Sequence, residues 1–344
     1  MALANIDQKG VSVVICCFNS KLRIVPTIEH LCRQKDIDFP WEVILVDNNS
    51  TDGTAEIARE TWHKNKGACP FRVINELKPG TMYARKKGIE MANYRYLLYC
   101  DDDNWLHETY LKIAFSIISK DENISVVGGM GLLEFEKGLA PPSWIFDFIK
   151  GFGGPQARED GDTTYEKGCL YTAGAILDRI WLNRLYKLGF ESTLKGRDGK
   201  SLAAGEDTEL TYALKLIGGR LYYSSKMHFK HFMPRGRMAW PYLKRLWQSF
   251  GYSGFLISPY VIHFKNRKQL TFTVIMRQRI VALVRSFVRA AAASFAEGDK
   301  NVLKFQRNLG EFEAAVFNYK TYLKNQQMVD HLLRQVGNGG IEKI

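Results

Sequence analysis

Short apolar runs alternate with segments of helical periodicity along the N-terminal part of the chain. The apolar runs cover residues 11–15, 41–46, 71–74 and 96–100, and the helical segments cover residues 22–32, 54–61 and 82–92. Continuous apolar runs of this length are typical of strands that are buried on both faces. Their alternation with helices predicts an α/β fold with a Rossmann-like, mainly parallel central sheet flanked by helices.

The pattern changes after residue 126, where Gly, Pro and aromatic residues become frequent up to residue 168. Such a composition is typical of loops that shape a binding pocket. Further along, we predict a strand over 170–177, a helix over 179–188, a helix over 206–216, a strand over 220–224 and a loop over 227–237.

Helical patterns dominate from residue 238 onward. We therefore predict two parts: an α/β domain over residues 1–237 and a mainly helical C-terminal region over 238–344. The C-terminal region would contact an acceptor, a membrane surface or another subunit.

Three consecutive carboxylates, Asp101, Asp102 and Asp103, directly follow the apolar run over residues 96–100. Adjacent anions repel one another, and a divalent cation relieves this repulsion most simply. Oxygen ligands of this kind suit Mn²⁺ or Mg²⁺, and substrate phosphates commonly complete the coordination. The sequence therefore predicts a site for a metal-bridged diphosphate, with a solvated acidic turn as the alternative.

Polar residues also follow the first two predicted strands. Cys17, Phe18 and Asn19 come after the first strand, and Asp47 comes after the second, in a turn-forming stretch that includes Asn49. Open parallel sheets bind ligands outside the carboxyl ends of their strands. We therefore expect these residues to gather beside the three carboxylates.

Charged residues elsewhere could complete such a site. Arg85 lies in the helix after the third strand, Asp207 lies in the first turn of the helix over 206–216, and His231 and Arg237 lie in the predicted loop. Arginine suits phosphate oxygens, and two histidines and two arginines in one short loop favour a metal or phosphate role. Each has an ordinary alternative: a solvated helix face, an acidic first turn favoured by the helix dipole, or a structural histidine.

Composition and charge narrow the class of partner. The chain has 344 residues, 46% of them hydrophobic, a net charge of +12 and a pI near 9.3. A basic surface favours anionic partners, but the cations are too dispersed for a recognisable nucleic-acid motif, so we expect no nucleic acid. The six cysteines show no Cys-x-x-Cys spacing and are expected to be reduced thiols. The sequence shows neither a signal core nor an apolar run that could span a bilayer, so we expect a cytoplasmic location.

The ordered motifs resemble those of inverting glycosyltransferases of family 2, which have the GT-A fold. The matching residues are Cys17-Phe18-Asn19, the run from Val46 to Thr54, Ala84-Arg85, Asp101 to Asp103 and Gly205-Glu206-Asp207. Each motif is weak alone, but the ordered set is specific and covers roughly two thirds of the chain. The resemblance implies transfer of a sugar from a nucleoside-diphosphate sugar, for which we expect a UDP-sugar, to a glycan or lipid-linked acceptor.

The resemblance also implies a role for individual residues. Donor-binding residues would be Cys17, Phe18, Asn19, Asp47, Asn49, Arg85, Asp101, Asp102 and Arg237. Asp103 would bind the cation, with Asp101 and His231 as further ligands, and Asp207 would be the catalytic base. Inversion requires a carboxylate that accepts the proton of the attacking hydroxyl. Glu206 and Glu209 are the weaker candidates for that base.

Aromatic and acidic residues near these motifs are candidates for acceptor binding. Trp144, Tyr171 and Trp181 could stack on a sugar, and Glu206 could bind one of its hydroxyls, although core packing is the commoner role of large aromatic residues. Two rival functions stay open: a nucleotidyltransferase of similar fold, and a non-catalytic module that binds sugar nucleotides or glycans.

The segment over residues 275–295 has the composition of a basic amphipathic helix. Peripheral contact with the inner face of a membrane would expose Ile280, Leu283, Val284 and Phe287 beside the arginines of the segment. Packing against the protein or a second subunit would bury these residues, with the arginines solvated or paired to Glu297, Glu311 and Glu313. From the sequence, packing is slightly favoured, and a homo-oligomer is possible.

Overall fold

A computed structural model describes residues 7–166, 168–194, 196 and 205–338. Within this part of the chain there are nine strands. They are β1 (Val11–Cys17), β2 (Trp41–Asp47), β3 (Phe71–Asn75), β4 (Tyr96–Asp101), β5 (Asn104–Leu106), β6 (Ile124–Phe135), β7 (Gly161–Asp162), β8 (Ile176–Asp178) and β9 (Arg220–Met233).

Eleven α-helices lie in the same described ranges. They are α1 (Lys21–Cys32), α2 (Thr54–Lys64), α3 (Thr81–Met91), α4 (Tyr110–Ile118), α5 (Arg179–Lys187), α6 (Glu206–Leu216), α7 (Trp240–Leu256), α8 (Ser258–Phe264), α9 (Phe272–Ala292), α10 (Lys300–Phe317) and α11 (Tyr319–Asn338). Two 3₁₀ segments span Ser143–Phe152 and Arg235–Met238.

All nine strands join one sheet in the order β3-β2-β1-β4-β8-β6-β9-β5, with β7 paired to β9. The neighbours β3, β2, β1 and β4 are parallel, as the alternation of strands and helices predicted. Strand β8 pairs antiparallel with both β4 and β6, and β5 pairs antiparallel with β9. The predicted α/β fold is therefore confirmed, and the antiparallel strand β8 joins its parallel half to β6 and β9, which are parallel to each other.

The parallel strands are covered by apolar clusters on both faces of the sheet. Alternate residues of a strand point to opposite faces, so neighbouring residues belong to different clusters. Val14 of β1 and Ile44 of β2 belong to the cluster that packs on α3, α5 and α6. Val13 and Val43, one residue earlier in each strand, belong to the cluster that packs on α1, α2 and α4. This two-sided burial explains why these strands are continuous apolar runs.

Two predicted elements differ from the structure. The predicted loop over 227–237 is wrong for its first half, since β9 continues to Met233. The sequence carries a period of two there, with Met227, Phe229 and Met233 buried, and the polar residues between them obscured it. The predicted strand over 170–177 shrinks to β8, which begins at Ile176.

The C-terminal helices pack directly on the α/β core. One buried cluster joins the helical region to Leu177 of β8. It includes Ile257, Tyr260 of α8, and Val329 and Leu332 of α11. The predicted boundary after residue 237 falls inside the 3₁₀ segment Arg235–Met238. The helical region therefore shares a core with the sheet.

A close contact between α7 and α10 depends on two glycines. A Cβ atom added at Gly251 would lie 1.9 Å from the carbonyl oxygen of Arg307, and one added at Gly310 would lie 1.9 Å from that of Gln248. Only glycine lets two helix backbones approach this closely.

Helix α9 exposes most of the apolar residues that packing would bury. Ile280, Val284 and Phe287 are exposed, and Leu283 is partly buried. The packing alternative within the monomer therefore holds in part: Arg279 pairs with Glu311 and Phe287 contacts the rings of Phe295 and Phe305, while Ile280 and Val284 stay exposed. Across the described residues, no helix has both the length and the hydrophobicity to cross a bilayer. The six cysteines are all free thiols.

Candidate active site

A cavity of about 710 Å³ opens at the carboxyl ends of β1 and β4 and at the N-terminus of α6. Many of the predicted site residues line it. They are Phe18, Arg85, Asp101, Asp102, Asp103, Tyr171, Glu206, Asp207, His231 and Arg237. The topology brings these residues together because parallel strands end at one edge of the sheet.

The buried carboxylate of Asp103 lies beside two of the predicted diphosphate or metal partners. Its Oδ2 is 2.8 Å from Nη1 of Arg237, and its Oδ1 is 3.8 Å from Nε2 of His231. Burial lowers the pKa of the Arg237 guanidinium, but Asp103 opposes this effect and the net pKa is raised. Arg237 is therefore a permanent cation at this end of the cavity.

The hydrogen bonds of His231 determine its tautomer. Nη1 of Arg237 lies 2.8 Å from Nε2, and a guanidinium can only donate, so Nε2 is the acceptor. Nδ1 then carries the proton and donates to the carbonyl oxygen of Phe152 at 2.6 Å. A backbone carbonyl also fixes Nδ1–H in many metal-binding histidines. Arg237 occupies the Nε2 lone pair here, so His231 would bind a cation only after that hydrogen bond is exchanged.

Asp103 and His231 are suitable donors for a divalent cation. A carboxylate and an imidazole suit Mn²⁺, and carboxylate oxygens suit Mg²⁺. Within the described ranges, no group of three or more His, Cys, Asp or Glu residues forms a complete metal cage. A cation held by these two donors alone would need further ligands from outside the protein.

Asp102 belongs to a separate polar cluster with α1. Its Oδ2 accepts hydrogen bonds from Ser20 and from Nη2 of Arg23, the latter at 2.7 Å. Burial raises the pKa of the Asp102 carboxyl, Asp103 adds to this effect, and Arg23 opposes it. The sequence analysis missed Arg23, although its position in the helix after the first strand was a usable signal.

Arg85 projects from α3 into the cavity. Its Nη1 lies 3.4 Å from Oε1 of Glu206, and its guanidinium lies 5.0 Å from the centre of the Tyr99 ring. Burial lowers the pKa of Arg85, but Glu206 and then Asp101 outweigh that effect and the net pKa is raised. The predicted acceptor residue Glu206 is therefore an ion-pair partner of a cavity arginine.

Asp207 lies in the first turn of α6, with both carboxylate oxygens held. Oδ1 accepts from the backbone N–H of Thr208 at 2.7 Å, and Oδ2 accepts from the backbone N–H of Thr172 at 3.3 Å. A carboxylate at this place is favoured by the helix dipole. The two backbone donors fix its orientation towards the cavity.

The rival base Glu209 is in the wrong place. It is fully buried, and its oxygens accept hydrogen bonds from the hydroxyls of Ser192 and Thr193 and from the backbone N–H of Leu194. Burial raises the pKa of its carboxyl, and these hydrogen bonds oppose the shift. Glu209 stabilises the loop over 192–194 and does not line the cavity.

The end of β1 presents a different cysteine to the cavity from the one predicted. Cys17 points into the opposite core and donates to the carbonyl of Val46, whereas Cys16 lines the cavity. Burial raises the pKa of the Cys16 thiol to about 12, so it is no nucleophile at neutral pH. Phe18 is 50% exposed at the cavity rim, where its ring face is free to stack.

Three other predicted donor-binding residues shape the loops beside the cavity without lining it. Asn19 accepts from the backbone N–H of Thr51, and Asp47 accepts from that of Ser50. Asn19 and Asn49 have φ angles of 47° and 66°, a region that asparagine tolerates better than most residues.

Asn48, which the sequence analysis did not single out, holds the loop before α3. Its Nδ2 donates to the carbonyls of Glu76 and Lys78, and its Oδ1 accepts from the N–H of Gly80. These bonds fix the segment that leads to Arg85. A buried asparagine after an apolar strand was the available signal.

Of the three aromatic acceptor candidates, only Tyr171 lines the cavity. Its hydroxyl donates to the carbonyls of Gly153 and Gly154. Trp144 is buried against Trp240, and its indole N–H donates to Glu297. Trp181 is buried and donates to the carbonyl of Glu122. Both tryptophans are core residues.

The C-terminal helices supply a wall of the cavity that the sequence did not reveal. Tyr242, Leu246 and Phe250 of α7 and Arg307 of α10 line it, opposite the carboxylates. Lys150 of the 3₁₀ segment Ser143–Phe152 lines it as well. Aromatic and cationic side chains of the helical region thus line the same cavity as Asp207 and the acidic triplet.

The family model for glycosyl transferase family 2 matches residues 12–185 of the chain, which is half of its length. This chain belongs to glycosyltransferase family 2. The matched range contains the acidic triplet and Arg85, and Asp207, His231 and Arg237 lie beyond it.

A curated glycosyltransferase is also similar to part of this chain. The poly(ribitol-phosphate) beta-N-acetylglucosaminyltransferase TarP of Staphylococcus aureus is 25% identical over 140 residues, which cover 41% of this chain and 42% of that protein. The match thus spans about two fifths of that relative's length.

Two solved structures share the fold at low sequence identity. S. aureus TarS in complex with UDP-GlcNAc superposes with a TM-score of 0.53 at 18% identity, covering 97% of this chain and 93% of that one. The mannosyltransferase PcManGT from Pyrobaculum calidifontis, in complex with GDP-Man and Mn²⁺, superposes with a TM-score of 0.55 at 16% identity. The superposition covers 100% of this chain and 90% of PcManGT. These neighbours confirm the predicted GT-A fold.

Proposed function

We propose that this family 2 protein transfers a sugar from a nucleoside-diphosphate sugar to a hydroxyl of a glycan or lipid-linked acceptor, with inversion at the anomeric carbon. The observation that carries the proposal is the placement of Asp207. A half-buried carboxylate at a helix N-terminus faces the same cavity as Arg85, the acidic triplet and Arg237. A proton acceptor and a set of phosphate-binding groups therefore share one cavity.

Asp207 is assigned as the general base. In an inverting displacement, the acceptor oxygen attacks the anomeric carbon as the bond to the diphosphate breaks, and the hydroxyl proton moves to a carboxylate. The backbone N–H groups of Thr172 and Thr208 hold Asp207 in one orientation. Such pre-orientation removes the cost of positioning the base during the reaction.

The leaving diphosphate gains negative charge, and the cavity offers cations to receive it. Arg85 and Arg237 are permanent cations beside the acidic triplet, and His231 presents Nε2 to the same place. Fixed cations aimed at developing charge stabilise a transition state. A divalent cation bound by Asp103 and His231, with Asp101 as a further ligand, would neutralise diphosphate charge in the same way.

A UDP-sugar is the donor that we propose. The fold neighbours contain UDP-GlcNAc and GDP-Man, and the second of them also contains Mn²⁺. In this chain, Phe18 offers an exposed ring for the nucleotide base, and Asp47 holds the loop next to it by accepting from the backbone N–H of Ser50. Stacking on an aromatic ring favours a nucleobase without fixing its identity.

A screen of sugar nucleotides with Mn²⁺ tests the proposed activity. We expect the wild-type protein to release nucleoside diphosphate from one UDP-sugar in the panel and to lose this activity in EDTA. Release of pyrophosphate from a nucleoside triphosphate and a sugar 1-phosphate would instead establish the nucleotidyltransferase. Binding of a sugar nucleotide without any turnover would establish the non-catalytic module.

We also propose that α9 contacts an anionic membrane surface, at the inner face of the membrane for a cytoplasmic protein. The outward side of this helix carries a stripe of three valines: Val281, Val284 and Val288 are 39%, 56% and 60% exposed. Ser286 and Ala290, on the opposite side, are buried against the protein. A solvent-facing apolar stripe indicates an interaction surface.

Charge favours a bilayer as the partner of this surface. Helix α9 contains four arginines and no carboxylate. Arg279 pairs with Glu311, whereas Arg277, Arg285 and Arg289 are exposed and form no ion pair within the described residues. Each basic residue at an anionic lipid surface contributes about 1 kcal/mol.

Liposome co-sedimentation tests the membrane contact. We expect the wild-type protein to sediment with anionic vesicles at low salt, less so at high salt, and not with neutral vesicles. The double variant Val281→Asp, Val288→Asp should stay in the supernatant. Leu22→Asp, at a 95% exposed leucine of α1, is the matched control and should sediment normally.

Two outcomes would count against this contact. Absence of the wild-type protein from the anionic vesicle pellet at low salt would reject it. A dimer in light scattering that the double variant abolishes would assign the valine stripe to a homo-oligomer.

A further inference from the structure

A second cavity, of about 440 Å³, lies among the C-terminal helices. We call it the lateral cavity, and Phe255, Val261, Arg267, Ile275 and Tyr322 are among the residues that line it. Its volume lies in the range of roughly 300 to 1,000 Å³ that is common for small-molecule sites. Helices α7, α8, α9 and α11 form its walls.

The lateral cavity adjoins the proposed active site. Val261 of α8 lines both cavities, so α8 is the partition between them. An α-helix with its side chains is about 10 Å wide, so a ligand of moderate length could extend from one cavity to the other. The lateral cavity also borders the membrane-facing helix, because Ile275 and Arg279 belong to α9.

The floor of the lateral cavity is apolar. Phe255, Ile275 and Tyr322 are buried there, and Phe255 stacks on Tyr322 with their ring centres 5.1 Å apart. Ile262 and Leu270 extend the apolar lining towards the opening. Such a lining favours a hydrocarbon chain.

The rim of the lateral cavity is cationic. Arg267 and Lys268 are exposed in the loop between α8 and α9, and Arg279 lies further inside. The guanidinium of Arg279 pairs with Glu311, yet its Nε–H is buried and has no acceptor within the described residues. Three cations around an apolar floor favour an anion that is attached to a hydrocarbon chain.

We propose that the lateral cavity binds an alkyl phosphate, with the phosphate at Arg267, Lys268 and Arg279 and the chain on the apolar floor. A neutral lipid would leave the exposed rim cations Arg267 and Lys268 without an anionic partner in the cavity, and free phosphate would leave the floor uncovered. The identity of this ligand rests on the proposed transferase function: it is the lipid-phosphate part of the acceptor. The acceptor enters beside α9, and its hydroxyl extends past α8 towards Asp207.

Titration calorimetry with dodecyl phosphate, below its critical micelle concentration, tests the site. We expect saturable binding to the wild-type protein. The rim variant Arg267→Ala, Lys268→Ala should bind about tenfold more weakly, since each lost charge-assisted contact lowers affinity severalfold. Gln278→Trp, which fills the cavity from an exposed position on α9, should bind at least about tenfold more weakly.

Matched ligands and a matched variant make the test specific. Lys304→Ala, Lys324→Ala removes two exposed cations outside the lateral cavity and should bind dodecyl phosphate like the wild type. Dodecyl maltoside, a neutral amphiphile, and inorganic phosphate should each bind at least about tenfold more weakly than dodecyl phosphate.

Several results would overturn the proposal. They are no saturable binding of dodecyl phosphate, equal affinity in the wild-type and rim variants, or equal affinity for dodecyl maltoside. Inorganic phosphate binding as tightly as dodecyl phosphate would show a free-phosphate site instead. Turnover of sugar nucleotides by the same samples separates the two proposals, because absence of turnover would reject the transferase function while the binding of dodecyl phosphate would still report on the lateral cavity.

Discussion

Replacement of Asp207 with Asn is expected to lower kcat by about 10² to 10⁴-fold and to leave donor affinity nearly unchanged. The amide has the same shape and can still accept a hydrogen bond from the backbone at Thr208 or Thr172. It cannot take up the proton of the attacking hydroxyl. Turnover of the donor, together with calorimetry of UDP binding, measures the two effects separately.

Glu209→Gln is the matched control for this variant. It neutralises a carboxylate in the same helix that is buried away from the cavity and bound by Ser192 and Thr193. We expect its turnover to stay near that of the wild type. An Asp207→Asn protein with normal turnover would contradict the assignment and transfer the role of base to Glu206.

Replacement of Asp103 with Asn should remove the dependence of donor binding on a divalent cation. The Asp103 carboxylate lies 3.8 Å from Nε2 of His231, and it is one of the two anionic donors, with Asp101, of the proposed metal site. Loss of one such ligand weakens metal binding, and we expect UDP affinity in Mn²⁺ to fall by about 10 to 100-fold. Calorimetry in Mn²⁺ and in EDTA measures this change.

Asp102→Asn is the comparison for that experiment. Its carboxylate is adjacent in sequence, but it is held by Ser20 and Arg23 on the side of α1. We expect the Asp102 variant to bind UDP more tightly in Mn²⁺ than in EDTA, as the wild type should. Equal wild-type affinity in Mn²⁺ and in EDTA would refute the metal-assisted account of donor binding.

The sequence predicted the parallel half of the sheet well, for a physical reason. Strands β1, β2 and β4 are buried on both faces, so each is a continuous apolar run that ends where polar residues begin. Parallel strands end at the same edge, which is why Phe18 and Asp101 to Asp103 could be placed around one cavity before the structure was known.

The same two-sided burial left the direction of each side chain undetermined. Cys16 lines the cavity and Cys17 points into the opposite core, yet no alternation of polar residues in β1 distinguishes the two. A shift of one residue along a strand exchanges its faces. For this reason the family motif indicated the correct end of β1 but selected Cys17, which points away from the cavity, in place of Cys16.

Long-range contacts explain the other differences. The partner of the Trp144 indole is Glu297, which is 153 residues away in sequence, so no local pattern could place that tryptophan in the core. The wall that Tyr242 and Phe250 provide depends on the close approach of α7 and α10 at Gly251 and Gly310. Helical periodicity predicted these helices but not the surface on which they pack.

Early ¹H NMR spectra of the sugar released from an α-linked UDP-sugar test the central claim most directly. Water can replace the acceptor: its oxygen attacks the anomeric carbon, its proton moves to Asp207, and the diphosphate leaves with the bonding electrons. The single-displacement account predicts that the β-anomer appears first and that mutarotation then produces the α-anomer. First appearance of the α-anomer would contradict the inverting mechanism and the role of Asp207 as its base.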